Sequence, residues 1–172
     1  TYPKTKLIDE RGGVISEYED GLHLQSPMAS ERFAQLYQKL GLVNVIYGLI
    51  RADRLRHTAL MGNYIASDRP LLAELTLYGK FWEIPEFLFF RRLHPGAYSS
   101  QKDTDKLLEF YDPKIKRQTP LTKWRHLYEN LLAVKRAPLC FSEKMRLYSH
   151  IVRMGVWYRT ELIRELHSLM RR

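Results

Sequence analysis

Apolar and polar residues alternate in two short stretches at the start of the chain. The first stretch lies before Asp9, and the second runs from Val14 to Tyr18. Alternation with a period of two predicts strands that bury one face. The residues from Asp9 to Gly13 have turn chemistry, since adjacent glycines tolerate the positive φ angles of tight turns. The chain is therefore expected to begin with a strand, a turn and a second strand.

A helical period comes next. Ser30 is a suitable N-cap, and apolar residues recur every three or four positions until Gly41 ends the helix. The stretch from Leu42 to Ile50 is apolar and contains several β-branched residues, which predicts a buried strand or extended segment. The pattern from Arg51 to Thr58 predicts one or two helical turns.

The middle of the chain has the clearest helix signals. Ser67 or Asp68 is expected to cap a helix that ends at Gly79. Beyond it, residues 81–84 and 87–92 predict two short extended segments, because a proline between them disfavours a continuous strand.

Four helical patterns occupy the C-terminal part, over residues 103–111, 119–136, 142–156 and 159–170. Their apolar residues fall in stripes with the helical period, and we expect most of them to lie in the core. These stripes include Trp124, Leu131, Met145, Val152, Leu166 and Leu169.

The charge is unevenly distributed and divides the chain near residue 100. The protein has a net charge of +9, and almost all of it falls in residues 101–172. A mixed α/β segment over residues 1–100 is thus followed by a basic helical extension over residues 101–172. Such an extension suits an anionic partner, whether a membrane surface or nucleic acid, but a solvated basic surface explains it equally well.

Several classes of protein are excluded or disfavoured. The two longest apolar stretches, near Leu42 to Ile50 and Phe81 to Phe90, are short of the roughly 20 residues that span a bilayer. The single Cys140 excludes an internal disulfide and a cysteine-based zinc site. No phosphate-binding loop, dinucleotide fingerprint, serine-hydrolase elbow or His-Glu-x-x-His motif is present. With no export signal after Thr1, we expect a cytoplasmic location.

The chemistry that remains is a carboxylate at a helix start and a cluster of cations. Asp68 lies where the positive end of the helix dipole favours an anion, so it is either a cap or a base that accepts a hydroxyl proton. Arg91, Arg92 and His94 follow an extended segment, where guanidinium groups bind phosphate oxygens well. Composition and spacing alone favour the structural alternative for each.

The run from Tyr47 to Ser100 resembles the acceptor half of bacterial family-two glycosyltransferases of the GT-A fold. In that family an acidic position opens a helix that a glycine ends, and an extended stretch then leads to a basic strand end. Ser67-Asp68 is similar to the acidic position, Gly79 to the helix end, and Arg91-Arg92-Leu93-His94 to the basic end. The opening residues resemble the segment after the nucleotide-sugar half, so the resemblance covers residues 1–100.

The resemblance implies an inverting transfer of a sugar from a nucleotide-sugar donor to the hydroxyl of a saccharide or lipid-linked acceptor, as in the synthesis of cell-surface polysaccharide. Asp68 would be the catalytic base. Arg91, Arg92 and His94 would bind the diphosphate of the donor, with His94 also a candidate metal contact.

The acceptor site and the cofactor follow from the same resemblance. Tyr47, Gly48 and Arg51 would line the acceptor site, although packing is an equally good explanation for Tyr47. A divalent metal, Mg²⁺ or Mn²⁺, is expected for the complete enzyme.

The sequence departs from the family pattern in two ways. Where many members have Glu-Asp, this chain has Ser67-Asp68, so a single carboxylate must act as the base. The nucleotide-binding first half, with its Asp-x-Asp motif, is not found in these residues. We therefore expect a fragment that is inactive without its donor-binding half.

The alternative hypothesis is a non-catalytic binding module. The basic extension over residues 101–172 contains the aromatic residues Trp124, Tyr128, Trp157 and Tyr158 among its cations. Such a module would contact an anionic membrane surface, at the inner face of the membrane, more readily than nucleic acid, for which no recognised motif is present.

Overall fold

In the part of the chain that the structure describes, three strands and six helices form a mixed α/β structure. The computed structural model describes residues 1–96 and 121–170, and these ranges contain all of the elements that follow. The strands are β1 (Tyr2–Ile8), β2 (Val14–Tyr18) and β3 (Glu83–Arg92). The helices are α1 (Ala29–Lys39), α2 (Ala52–Leu55), α3 (Asp68–Tyr78), α4 (Thr122–Arg136), α5 (Phe141–Trp157) and α6 (Arg159–Met170). A 3₁₀ turn at Asn44–Tyr47 lies between α1 and α2.

β1 is the central strand of a sheet with the order β2-β1-β3. β2 pairs antiparallel to β1, with Thr5 opposite Tyr18, so the predicted strand, turn and strand are confirmed. β3 pairs parallel to β1, with Leu7 opposite Arg91. A parallel neighbour needs a crossover of a dozen or more residues, and the passage through α1, α2 and α3 provides it.

Asp9 organises the turn between β1 and β2. Its Oδ1 accepts the backbone N–H groups of Arg11 at 2.9 Å and Gly13 at 2.8 Å. Gly12 has a φ of +90°, where a side chain would be strained. The carboxylate therefore replaces backbone partners that the strands cannot supply at this point.

β3 is one continuous strand, which corrects the prediction of two segments broken at Pro85. The pairing with β1 steps from Pro3–Ile84 to Lys4–Phe87, so β3 bulges at the proline. A bulge takes a residue that has no backbone N–H out of the hydrogen-bonded ladder. The strand can therefore continue through this position.

The apolar stretch after α1 is a turn, which corrects the prediction of a buried strand or extended segment. Val43 has a φ of +64°, and the 3₁₀ turn begins at the next residue. Asn44 is buried, donates its side-chain amide to Thr5 Oγ1 at 3.1 Å and accepts Arg91 Nη1 at 2.6 Å. These contacts with β1 and β3 hold the turn, and local apolar composition does not reveal them.

The predicted N-caps do not form side-chain caps. α1 begins at Ala29, and Ser30 lies inside its first turn, where its N–H and hydroxyl both donate to Glu143 of α5. α3 begins at Asp68 as predicted, but Ser67 has helical backbone angles and makes no capping hydrogen bond. A contact across the fold therefore replaces the expected local cap at the start of α1.

One hydrophobic core joins the start of β1 to α1, α3, α4 and α5. Its buried members include Tyr2, Phe33, Leu36, Leu72, Leu75, Val134, Leu147 and Ile151. α4 packs on α3, and α5 packs on α1 and α4. The predicted boundary near residue 100 lies outside the described residues, and the helices after it share this core with the segment before it.

α4, α5 and α6 confirm the helix predictions that fall on described residues, and the predicted helix over residues 103–111 lies outside them. The expectation that most of their apolar stripes are core is wrong at several positions. Trp124, Leu131, Met145, Val152, Leu166 and Leu169 are 39–66% exposed. No helix in the described ranges has both the length and the apolar composition that crossing a bilayer requires.

Candidate functional site

Asp68 opens α3 with a buried carboxylate oxygen, Oδ1, for which the described residues provide no hydrogen-bond partner. The buried hydroxyl of Ser67 beside it is also unpaired. Ala66 has a φ of +57°, a left-handed conformation that is costly for a residue with a β-carbon. The unpaired N–H groups of a first helical turn give this end of α3 a partial positive charge. The Asp68 carboxylate thus lies at the positive end of α3 with one buried oxygen that no described residue contacts by a hydrogen bond.

α4 fixes the segment that leads into α3. His126 of α4 is buried, and its Nε2 lies 3.2 Å from the carbonyl oxygen of Ile65. Burial lowers the pKa of His126 to about 4, and the positive charges of Arg69 and Lys123 act in the same direction. The neutral ring donates its Nε2–H to the carbonyl. Sequence reasoning missed His126, because its helical pattern does not show which segment the helix covers.

The two arginines at the end of β3 hold different parts of the structure. Arg91 Nη1 donates to the Leu42 carbonyl at 2.7 Å and to Asn44 Oδ1 at 2.6 Å. Arg92 Nη1 donates to the carbonyls of Asp9 and Glu10 at 2.8 and 2.7 Å. Successive residues of a strand face opposite sides of the sheet. A phosphate on one side therefore meets only one of the two guanidinium groups.

His94 lies in the exposed segment just beyond β3. The family resemblance implied that it is a candidate metal contact. Within residues 1–96 and 121–170, no group of three or more His, Cys, Asp or Glu side chains is placed to hold a metal ion. The described residues therefore do not form a metal site by themselves.

Tyr47 and Gly48 lie where the chain passes close to the sheet. Tyr47 stacks on Phe89 of β3, with ring centroids 5.2 Å apart. Gly48 approaches the backbone of Thr1 so closely that a β-carbon would collide with the Thr1 carbonyl oxygen. The N–H of Leu49 donates to that carbonyl oxygen at 2.8 Å, and the Leu49 carbonyl accepts the Thr1 amino group at 2.8 Å. Because Gly48 has no side chain, the segment around Leu49 can hydrogen-bond to Thr1, next to the start of β1.

Arg51 stands in the wall of a cavity of about 760 Å³ between the start of β1, the segment before α2 and the C-terminal half of α3. Arg51 and Arg54 share Asp53 as an ion-pair partner, at 3.3 and 3.4 Å. Lys80 adds a third cation, and Trp82 adds an exposed ring. The remaining wall includes Val45, Leu49, Ile50, Leu72, Leu75 and Phe81. The cavity therefore offers apolar surface, an aromatic ring and positive charge to a ligand.

The cavity lies away from the other candidate residues. Trp82 is in its wall, whereas Arg91 is nine positions later along an extended strand (82 to 91), a span of roughly 25–30 Å. Asp68 is not in the wall either. In the described part of the chain, no hydrogen bond or ion pair links Asp68 with Arg91 or Arg51. The structure thus does not bring the predicted base, strand end and acceptor residues into contact.

Asp20 is a second buried carboxylate that sequence reasoning missed. It is 5% exposed, and the described residues give neither of its oxygens a hydrogen bond of good geometry. Burial raises the pKa of Asp20 to about 6, although the backbone N–H of Asn44 and the hydroxyl of Tyr18 partly offset the effect. Its neighbours Glu19 and Gly21 are typical of a surface turn, so the sequence contains no sign of this burial.

Comparison of the chain with protein-family models, curated proteins and solved structures gives no match. The family resemblance of residues 1–100 thus rests on the motif residues alone. The geometry of the site must supply the remaining support for a function.

Proposed function

We propose that this chain provides the acceptor-side half of an inverting glycosyltransferase with a GT-A fold. The observation that carries the proposal is Asp68, whose carboxylate is fixed at the start of α3 with a buried oxygen that lacks a partner among the described residues. Burying such an oxygen costs free energy unless something else binds it. An acceptor hydroxyl would be that partner.

In the proposed reaction, Asp68 accepts the proton of the acceptor hydroxyl as its oxygen attacks the anomeric carbon of the donor sugar. The new carbon–oxygen bond forms as the bond to the nucleoside diphosphate breaks on the opposite side. The electron pair leaves with the diphosphate, and the configuration at the anomeric carbon inverts. The protein contributes by holding the hydroxyl and the carboxylate in line.

Arg92 and His94 would bind the leaving diphosphate on one side of the sheet. Arg92 is exposed, and its Nε and Nη2 make no hydrogen bond to a described residue. Arg91 would serve chiefly to hold Asn44, since its Nη1 already has two acceptors. A divalent metal would be held by the donor-binding half, because the described residues do not offer a ligand set.

Tyr47, Gly48 and Arg51 would form the acceptor wall. Gly48 permits the close pairing that places Arg51 at the cavity. A long acceptor would cover the distance between this cavity and the reaction centre. The saccharide rings would pack on exposed aromatic groups such as Tyr47.

The donor-binding half would complete the sheet. β2 and β3 are the edge strands, and side chains such as Val14, Ile15, Leu88 and Phe90 are more than half exposed. Sheets with a parallel pair are ordinarily covered on both faces. A further α/β unit packed on these strands would bury them.

The test uses the natural full-length protein and a panel of nucleotide-sugars with Mg²⁺ or Mn²⁺, with release of nucleoside diphosphate as the readout. We expect Asp68→Asn to lower transfer by a factor on the order of 10³ and to leave donor affinity, measured by calorimetry, unchanged. Glu161→Gln is the control, because Glu161 also lies in the first turn of a helix.

Turnover of Asp68→Asn close to that of the natural protein would remove Asp68 as the base. Failure of every nucleotide-sugar to bind would overturn the proposed function. The non-catalytic binding module would then be the better explanation, supported by Trp124, Tyr128 and Trp157, which are 41–59% exposed.

A further inference from the structure

α5 presents an unpartnered apolar stripe along its outer side. Phe141, Met145, Val152 and Val156 recur at positions i, i+4, i+11 and i+15, which places them on one face of the helix. Their exposed fractions are 80%, 48%, 66% and 54%. The stripe covers roughly 22 Å of helix length. Isolated exposed apolar residues are ordinary, but a row of four on one helix face, with the half-buried Tyr148 between its two halves, marks an interaction surface.

The opposite face of α5 is the one that holds it to the protein. Leu147, Ile151 and Met154 are at most 3% exposed and belong to the core. Glu143 accepts the N–H and the hydroxyl of Ser30 of α1 at 2.9 and 3.1 Å. The helix is thus anchored without using the apolar stripe.

Cations border the stripe on both sides. By helical geometry, Lys144 lies on one flank, and Arg146 and Arg153 lie on the other. Lys144 is half-buried, and its Nζ donates to the Lys135 carbonyl at 3.0 Å, whereas Arg146 and Arg153 are exposed. Glu143 is the only acidic residue of α5; it accepts hydrogen bonds from Ser30, and its Oε1 lies 3.6 Å from Arg146 Nη1. Arg146 is 58% exposed at its side chain. An apolar strip bordered by positive charge is the pattern of a helix that lies in the plane of a membrane interface.

We propose that α5 docks the protein on an anionic phospholipid surface. The apolar stripe would enter the boundary between head groups and acyl chains, while the exposed Arg146 and Arg153 would contact lipid phosphates and carboxylates. Long basic side chains suit this position, because they keep their charge at the head groups while their stems stay apolar.

The charge pattern favours a membrane over the other occupants. A nucleic acid would use the cations, but it gains little from an apolar strip in which Phe141 is the single ring, because bases stack on rows of aromatic side chains. A second copy that packed stripe to stripe would bring cations near cations, which opposes association. Only a surface that is apolar within and anionic at its border satisfies both features of α5.

The proposal is independent of glycosyl transfer, and vesicle binding is measured without nucleotide-sugar. The natural full-length protein is sedimented with vesicles of phosphatidylcholine alone and with vesicles that also contain phosphatidylserine. We expect binding to the anionic vesicles, weakened by added salt.

Two variants separate the apolar and ionic contributions. Phe141→Ser with Val152→Ser should lower the partition coefficient by at least about tenfold. Arg146→Gln with Arg153→Gln should lower it by about thirtyfold on anionic vesicles only. Met61→Ser, which removes a similarly exposed apolar side chain from the segment between α2 and α3, is the matched control and should bind normally.

Equal binding of the natural protein and both variants would overturn the proposal, and so would equal binding to both kinds of vesicle. Concentration-dependent dimers that disappear in the Phe141→Ser, Val152→Ser variant would assign the stripe to a second copy instead. All of the substituted residues lie on the surface, so circular dichroism should show intact folding in every variant.

Discussion

Residues 1–96 and residues 121–170 differ in where they place their polar groups. The first range buries eight polar or charged residues, among them Asp20, Arg32 and Glu74, whereas the described residues of the second bury only His126 and Asn130. Both ranges expose large apolar side chains, and in the second range those of α5 form a row on one helix face. The two ranges share one core but present different kinds of surface.

This difference separates two kinds of functional signal. A buried polar group costs free energy unless a partner compensates it, so an unpaired one such as Asp68 Oδ1 points to a ligand inside the fold. Exposed apolar side chains cost little when single but favour docking when they form a row. In residues 1–96, the unpaired oxygen of Asp68 thus points to a ligand-binding or reactive site. In residues 121–170, the exposed apolar row on α5 points to docking on a partner surface.

The largest expected effect concerns the ion pair that joins the two ranges. Arg136 of α4 donates to Glu74 of α3 at 3.0 and 3.1 Å, and Glu74 is 3% exposed. Arg136→Leu leaves a buried carboxylate with one fewer partner, which should lower the free energy of unfolding by about 3 kcal/mol. The measurement is urea denaturation of the natural protein and the variant.

Arg125→Leu is the control on the same helix. Arg125 pairs with Glu129 at 2.7 Å, but its side chain is 52% exposed, so its loss should cost about 0.5 kcal/mol. If Arg136→Leu and Arg125→Leu lowered the free energy of unfolding equally, the buried Arg136–Glu74 ion pair would contribute no more stability than an exposed pair.

A second prediction uses the opposite pKa shifts of the two ranges. Burial raises the pKa of Asp20 to about 6, so its protonated form favours the folded state, and that stability is lost as pH rises from about 4 to 6. Burial lowers the pKa of His126 to about 4, so the stability from its neutral form is lost as pH falls from about 6.5 to 4. The two effects oppose each other in the same window.

Substituting either residue should leave only the pH dependence of stability that the other one causes. In Asp20→Asn, the free energy of unfolding should rise between pH 4 and pH 6.5, by up to about 3 kcal/mol. In His126→Gln it should fall over that window by a similar amount. Thermal unfolding at several pH values measures both. If the free energy of unfolding changed with pH in the same direction in both variants, the opposite pKa shifts of Asp20 and His126 would be contradicted.

The sequence predicted the elements that depend on local patterns. The N-terminal strands, α3 and the C-terminal helices follow from periodicity and from turn residues such as Gly12. The sequence-based predictions failed where contacts with distant residues determine the backbone conformation. Asn44 is held by Thr5 and Arg91, and Pro85 lies in a bulge that arises from the pairing of β3 with β1. Those contacts have no local signature.

For the candidate site, the sequence predicted the position of Asp68 in the fold but not how the other candidate residues are arranged around it. The pattern placed Asp68 at a helix start, since helix propensity and a glycine stop are local features. Adjacent arginines of an extended segment face opposite sides, but the partners that each one holds, Asn44 for Arg91 and the Asp9 carbonyl for Arg92, come from distant parts of the chain and have no local pattern. The burial of Asp20 depends on packing and was beyond sequence reasoning.

A third prediction tests the close approach beside β1. A β-carbon at Gly48 would collide with the Thr1 carbonyl oxygen and lie 2.7 Å from Tyr2 Cβ. Gly48→Ala should therefore lower the free energy of unfolding by about 1–3 kcal/mol. Gly79→Ala is the control, because its β-carbon meets nothing within 4 Å and its backbone is extended. Equal stability of the two variants would show that the Thr1–Leu49 pairing is loose.

The smallest expected effect separates a structural arginine from a ligand-binding one at the end of β3. Arg91 is half-buried and holds Asn44, so Arg91→Gln should destabilise the fold by about 1 kcal/mol and leave nucleoside diphosphate affinity unchanged. Arg92 is exposed, so Arg92→Gln should weaken that affinity about tenfold in calorimetry on the full-length protein. The reverse pattern would place the diphosphate on the other side of the sheet. Equal loss of affinity in both variants would contradict a one-sided site, because adjacent strand residues cannot both face one phosphate.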